Sequence, residues 1–91
     1  MRDKLDIVRS ILENCKEQTY QEKLKKGSNI SPQMFIQYVG ALTQSGRIEI
    51  SSNGKDKRIY YRATKKGLQT LEILRKIRQQ KSNILRSMEG L

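Results

Sequence analysis

The side chains of this sequence that can do chemistry are mostly cations gathered in one short stretch. Lys55, Lys57 and Arg58 lie within four positions, and only Asp56 among them has the opposite charge. Half of the net charge of +10 falls within residues 51–66, which hold six basic residues and one acidic residue. Ammonium and guanidinium groups at this density neutralise phosphate oxygens. The pattern therefore predicts a polyanionic partner, although a solvated loop tip is the simpler alternative.

A second group of candidate residues carries amides. Gln33, Gln37 and Gln44 fall on one side of a segment whose other side is apolar. A glutamine amide can both donate to and accept from the major-groove edge of adenine, and such a pair discriminates by about 1–3 kcal/mol. These glutamines can also be neutral surface residues. We expect base contact, because their stripe lies opposite the predicted core face.

The composition argues against catalysis. The sequence has no His and one Cys, so the commonest general base and metal ligand are missing and no internal disulfide can form. No zinc-ligand spacing, phosphate-cradling glycine loop or nucleophile elbow is present, and no carboxylate pair suits acid–base work. We expect no enzymatic activity, no metal and no cofactor. Cys15 continues an apolar helix face, which predicts a buried and inert thiol.

The sequence also bounds where the protein works. Its N-terminus lacks the apolar run of a secretory signal. No stretch approaches the roughly 20 apolar residues that cross a bilayer. A single Cys suits a reducing compartment. We expect a soluble protein of the cytoplasm.

Three helices are predicted before the cationic stretch. Apolar side chains at helical spacing predict the first over residues 3–16. A second, shorter helix is expected over residues 19–26, with Gly27 as its left-handed terminal residue. Ser31 and Pro32 are a cap and a first residue for the third helix, which spans residues 32–45. Its predicted apolar stripe consists of Phe35, Tyr38 or Val39, and Leu42.

A β-hairpin is predicted over residues 47–63. Ile48 and Ile50 alternate with polar residues, and so do Ile59, Tyr61 and Ala63. Asn53 and Gly54 between the two runs form a strong hairpin-turn signal. A basic hairpin directly after a helix-turn-helix is the wing of a winged-helix domain. The predicted fold is therefore mainly α (α+β), with the winged helix-turn-helix order α-α-α-β-β in residues 1–63.

A long last helix is predicted over residues 65–89, with Thr64 as its cap. Leu68, Leu71 and Leu74 are expected to face the body of the domain. Farther along, apolar residues recur every seven positions, which predicts a seam for a second copy. Residues 64–91 are therefore assigned as the dimerisation helix, with the interface residues Leu74, Ile77, Lys81, Ile84, Leu85, Met88 and Leu91.

The chain resembles the small archaeal winged-helix, nucleoid-associated DNA-binding proteins. The resemblance rests on residues 3–16, on the turn at residues 27–31, on Tyr38 with Leu42, and on the Ala-Thr-Lys-Lys-Gly run of residues 63–67. It covers nearly the whole chain in order and spacing. It implies a homodimer whose C-terminal helices pair as an antiparallel coiled coil, located in the nucleoid.

The sequence thus predicts a dimeric protein that binds double-stranded DNA, as a chromatin-organising protein or a transcriptional regulator. The third helix is expected in the major groove, with the wing on the adjacent backbone. The predicted DNA-binding residues are Lys23, Lys25, Lys26, Ser31, Gln33, Gln37, Gln44, Arg47, Lys55, Lys57, Arg58 and Arg62. Two alternatives are a protein-interaction module without DNA binding and an RNA binder. The second lacks an aromatic platform for bases.

Overall fold

The computed structural model describes the backbone of residues 3–52 and 55–88, and the side chains of these residues up to residue 77. Helices α1, α2 and α4 span Lys4–Asn14, Gln21–Ser28 and Lys65–Met88. Helix α3, residues 32–44, joins an α-helical turn Pro32–Met34, a π-helical segment Phe35–Val39 and an α-helical segment Gly40–Gln44. Strands β1, β2 and β3 span Thr19–Tyr20, Ile48–Ser52 and Ile59–Ala63.

Some of the predicted features lie outside this described part. The turn at Asn53 and Gly54 is one of them. The side chains of five predicted interface residues also lie outside it, namely Lys81, Ile84, Leu85, Met88 and Leu91.

Helix α1 forms where it was predicted, because its first turn is capped and one face is apolar. The Asp3 side chain accepts a hydrogen bond of 2.8 Å from the backbone N–H of Asp6. Ile7, Ile11 and Leu12 are buried on the inner face. They belong to the hydrophobic core, which draws on all four helices and on the hairpin.

The prediction for the second helix is wrong at both ends. Thr19 and Tyr20 form strand β1, and the helix runs on to Ser28, where Asn29 takes the left-handed conformation with φ 54°. Gly27 is therefore helical. It permits close packing on α1, since a Cβ built there lies 2.3 Å from Oδ1 of Asn14. A two-residue strand shows no periodicity, so only its pairing partner reveals it.

The start of helix α3 is confirmed, whereas its π-helical segment was not predicted. Ser31 Oγ accepts from the N–H of Met34 at 3.1 Å, and Pro32 occupies the first turn. The buried stripe consists of Phe35, Val39 and Leu42, so of the two alternatives Tyr38 and Val39 it is Val39 that is buried. Tyr38 is only partly buried. The buried residues Phe35, Val39 and Leu42 have the spacing of an ordinary α-helix, so their spacing gives no indication of the π turn.

The predicted hairpin is confirmed, and it belongs to a three-stranded antiparallel sheet in the order β1-β3-β2. Tyr61 is buried and packs edge-to-face on Phe35 of α3, with ring centroids 5.4 Å apart. Alternation correctly predicted burial for Ile48, Tyr61 and Ala63. It failed for Ile50 and Ile59, which are 50% and 49% exposed. The hairpin extends past the core, so its outer half has nothing to cover an apolar side chain.

Helix α4 begins as predicted, with Thr64 Oγ1 accepting from the N–H of Gly67 at 3.1 Å. Leu71 and Leu74 are buried, as expected. Leu68 is 41% exposed, contrary to prediction. The residue that packs closely against Arg47 at this point of the helix is the neighbouring Gly67.

Backbone groups of α3, β2, β3 and α4 meet at one junction. The carbonyl of Arg47 accepts from the N–H of Thr64 at 3.0 Å. The Thr64 hydroxyl donates to the carbonyl of Gly46 at 2.6 Å, and Lys66 Nζ donates to the carbonyl of Ser45 at 2.8 Å. A Cβ on Gly67 would lie 2.1 Å from the carbonyl oxygen of Arg47. The Thr-Lys-Lys-Gly run is therefore structural: it fastens the last helix to the end of α3.

We expect Gly67→Ala to destabilise the protein by about 1–3 kcal/mol, because backbone must move to admit the methyl group. Gly40→Ala is the matched control, since its Cβ meets nothing within 4 Å. It should instead stabilise helix α3 by about 0.5–1 kcal/mol. Urea unfolding followed by circular dichroism at fixed protein concentration measures both. Equal stability of the wild type and Gly67→Ala would contradict the close approach.

We also expect Cys15 to be unreactive in the folded protein. Burial raises the pKa of its thiol from 9.0 to about 11, opposed in part by a hydrogen bond with the backbone of Ala63. The stability linked to this group is present below pH 9 and is lost as the pH rises through about 11. At pH 8, alkylation by iodoacetamide should be at least about a hundredfold slower than in denaturing urea. Similar rates in both would mean that the thiol is accessible.

Candidate nucleic-acid interface

The tip of the wing is shaped by Asp56. One of its carboxylate oxygens accepts from the N–H of Arg58 at 3.1 Å, and the other accepts a short hydrogen bond from the hydroxyl of Tyr60. The bond from Tyr60, followed by that from Arg58, lowers the pKa of Asp56. The same carboxylate raises the pKa of Tyr60. Lys57 adopts a left-handed φ of 58° within this turn. The only acidic group of the tip therefore serves to fold it.

Strand β1 supplies the support for Arg58. The guanidinium carbon of Arg58 lies 4.7 Å from the centre of the Tyr20 ring, in a cation–π contact. Tyr20 in turn lies opposite Tyr60 in the β1–β3 ladder. The strand that sequence analysis missed is thus the one that positions a predicted DNA-binding cation.

The wing and helix α2 share one cleft, of about 370 Å³. Its lining residues are Tyr20, Gln21, Glu22, Lys25, Lys57, Arg58 and Ile59. Three of the predicted cations, from two separate elements, therefore converge here, with Glu22 as the one acidic neighbour. We call this the cationic cleft. Lys55 is exposed at the same tip.

The three lysines of α2 line two adjoining clefts. Lys25 lines the cationic cleft, whereas Lys23 and Lys26 line a cleft that shares Tyr20 and Glu22 with it. Successive residues of a helix point about 100° apart, so neighbours in sequence fall on different faces. Of the three, Lys25 is the one placed beside the wing.

The glutamines of α3 are exposed, as the sequence predicted, at positions 33, 37 and 44. Ile36, which lies among them, is 75% exposed. It borders a second cleft of about 380 Å³, which we call the apolar groove. The groove is lined by Gln21, Phe35, Ile36, Val39, Gly40, Thr43, Gln44 and Ile50. Gln21 lines both clefts, so the cationic cleft and the apolar groove are adjacent, and Gln44 is the member of the glutamine stripe that lines the groove.

Three other predicted DNA-binding residues already have partners within the chain. Arg62 pairs across the hairpin with Glu49 at 2.8 Å. Arg47 donates from Nε to the hydroxyl of Thr70 at 2.9 Å. Ser31 uses its hydroxyl as the helix cap. Their roles in binding DNA stay predictions.

Helix α4 presents an apolar edge to solvent over its described side chains. Ile77, one of the predicted interface residues, is 43% exposed. Ile73, which was not predicted, is 58% exposed. Leu74 is only 9% exposed in the single chain. Arg75 bonds to Glu13 of α1 at 3.4 Å and so ties this part of the helix to the body.

Sequence analysis missed four residues of this surface, namely Tyr20, Gln21, Ile36 and Ile50. A signal existed for Ile36, since an apolar side chain among exposed glutamines breaks the amphipathic pattern. Ile50 appeared to be core by alternation. Tyr20 and Gln21 gave no signal, because their roles depend on contacts with the distant wing.

No group of three or more His, Cys, Asp or Glu residues able to hold a metal ion occurs among the residues that the structure describes. Over the same residues, no helix combines the length and apolarity needed to cross a bilayer.

The fold and the sequence were compared with those of known proteins. The structure matches the crystal structure of Sso10a-2, a DNA-binding protein from Sulfolobus solfataricus, with a TM-score of 0.87. The match covers 98% of this chain and 92% of that one, at 21% sequence identity, and so demonstrates a shared fold. No curated protein sequence matches this chain significantly. The sequence model of the winged helix-turn-helix family matches residues 1–82. This protein is therefore a member of the winged helix-turn-helix family.

Proposed function

We propose that this protein binds double-stranded DNA as a homodimer, with no catalytic step and in contact with the chromosome. The observation that carries the proposal is the convergence of Lys25, Lys57 and Arg58 in one cleft. This cleft shares Gln21 with the apolar groove, which is also lined by Gln44 of α3. The DNA-binding description of Sso10a-2, which shares the fold, supports it.

The chemistry of the surface changes along its length in the way that a duplex requires. Cations lie at the wing and on α2, where a phosphate backbone would pass. The glutamine stripe and the apolar groove carry no charged lining residue, which suits the edges of stacked bases. An α-helix fits the major groove of B-form DNA, so α3 is the element that we place there. The wing then lies on the adjacent backbone.

Affinity is expected to come mainly from counterion release. If each protomer neutralises about six phosphates, each protomer should lower the logarithm of the binding constant by roughly five units per tenfold rise in salt. Counterion release contributes to affinity in both possible roles, that of a chromatin-organising protein and that of a transcriptional regulator. Similar affinity for random duplexes favours the first, whereas a preferred site bound about 10³-fold more tightly favours the second.

We propose that the last helix pairs two copies as an antiparallel coiled coil. The exposed side chains of Ile73 and Ile77 support it, because apolar residues lie at the point where α4 leaves the body. Leu71 is part of the core, so the first turns of α4 belong to the winged domain. The proposed seam continues through Lys81, Ile84, Leu85, Met88 and Leu91, with Leu74 at its inner end.

Replacement of Lys55, Lys57 and Arg58 with alanine should weaken binding to all duplexes about equally. It should also reduce the salt slope by about three units per protomer, because each lost cation leaves one counterion unreleased. Fluorescence anisotropy with one labelled duplex at several salt concentrations measures both quantities.

The control for charge alone removes three exposed lysines from other places, namely Lys4, Lys16 and Lys76. It lowers the net charge equally but should change the slope far less. Equal slopes for both triple variants would mean that the wing has no special role. A melting temperature that does not change when duplex is added at low salt would favour a protein-interaction module instead.

Ile84→Lys should produce monomers, since an unpaired charge in an apolar seam is strongly destabilising. Lysine is chosen because a glutamate could pair with Lys81 one turn away. We expect the dimer dissociation constant to rise by at least about a hundredfold. Sedimentation equilibrium measures the mass. Gln69→Lys, at an exposed position near the start of α4, should leave it unchanged. A dimer that survives Ile84→Lys must use another interface.

A further inference from the structure

The apolar groove has a composition that phosphate binding does not explain. Its floor is formed by the buried side chains of Phe35 and Val39, and its two walls by Ile36 and Ile50. Ile36 of α3 is 75% exposed and Ile50 of β2 is 50% exposed, so two separate elements each contribute an exposed isoleucine. An apolar cleft of this size on the face that carries the glutamine stripe calls for an apolar occupant.

The major groove of DNA offers one apolar group, the 5-methyl group of thymine. None of the residues that line the apolar groove is charged, and amides from Gln21 and Gln44 stand at its rim. Gly40 leaves open space beside the two isoleucines, since a Cβ built there meets no atom within 4 Å. A base edge can therefore approach the helix closely at this point.

We infer that Ile36 and Ile50 bind thymine methyl groups and so give the protein a preference for A·T pairs. The inference rests on the proposed function, because it requires α3 to lie in the major groove. Glutamine amides on the same face suit the adenine of such a pair, which presents N7 as acceptor and N6 as donor. Thymine and adenine would thus be recognised by neighbouring side chains of one helix.

A second copy of the chain is a less suitable occupant of the groove. The apolar groove shares Gln21 with the cationic cleft, where Lys25, Lys57 and Arg58 converge. Two copies that joined through this face would bring like charges together in a chain of net charge +10. DNA supplies the apolar methyl group and, beside it, the phosphates that these cations need.

The inference is tested with two duplexes of the same A·T-rich sequence, one of which contains deoxyuridine in place of thymidine. The two differ only in the 5-methyl groups. We expect wild-type protein to bind the uracil duplex about fourfold more weakly for each thymine contacted, which corresponds to one buried methyl group. Fluorescence anisotropy at a single salt concentration compares them.

The variant Ile36→Ala should show a smaller difference between the two duplexes than the wild type, because only Ile50 then contacts methyl groups. It should remain folded, because Ile36 is 75% exposed. Leu5→Ala is the matched control, since Leu5 is 52% exposed on α1 and should keep the wild-type difference. This pair of variants separates methyl contact from any effect of the methyl groups on DNA stiffness, because stiffness would act on all variants alike.

The outcomes separate this inference from the proposed function. Absence of binding to either duplex would contradict the proposed function. Tight binding with equal affinity for thymine and uracil would contradict the inference alone, as would a thymine preference that Ile36→Ala leaves undiminished. A change in the mass of Ile36→Ala in sedimentation would assign the apolar groove to contact between copies and would also overturn it.

Discussion

The close approach of Gly67 to the carbonyl of Arg47 is the constraint on which the remaining geometry depends. At this point the end of α3, both hairpin strands and the start of α4 are joined by hydrogen bonds that the backbone and the side chain of Thr64 donate to backbone carbonyls. The hairpin can then leave the core at a fixed angle to α3, and α4 can leave in its own direction. Any side chain at residue 67 would force these elements apart. This contact, together with the packing of Leu71 in the core, relates the proposed DNA-binding surface to the proposed dimer seam.

The wing illustrates how few contacts position a cationic surface. Asp56 closes the tip by accepting hydrogen bonds from Arg58 and Tyr60. The ring of Tyr20 holds the guanidinium of Arg58 in a cation–π contact. An exposed arginine held in this way loses less conformational freedom when it meets a phosphate. The cationic cleft is therefore partly organised before a ligand arrives. Its short β1 strand, of two residues, is enough to bring α2 alongside the wing.

Much of the fold could be predicted, because helix starts and strands depend on patterns of residues that are close together in the sequence. Capping residues such as Ser31 and Thr64 mark helix starts through hydrogen bonds made within three residues. The alternation of apolar residues identified the hairpin. The errors arose where tertiary contacts override local preference. Thr19 and Tyr20 extend because β3 offers a partner, and Ile50 is exposed because the core ends beneath it.

For the candidate site, the sequence by itself determined which groups are available: a cationic wing, an amide stripe on a helix and an apolar last helix. Composition and short-range spacing suffice for that, since both depend on residues near one another in the chain. Only the tertiary structure decided which of them lie next to one another. It set Lys25 beside Lys57 and Arg58, placed Lys23 and Lys26 along an adjoining cleft, and opened an apolar groove between α3 and β2. Such neighbours are distant in sequence, so their proximity is fixed by core packing and strand register.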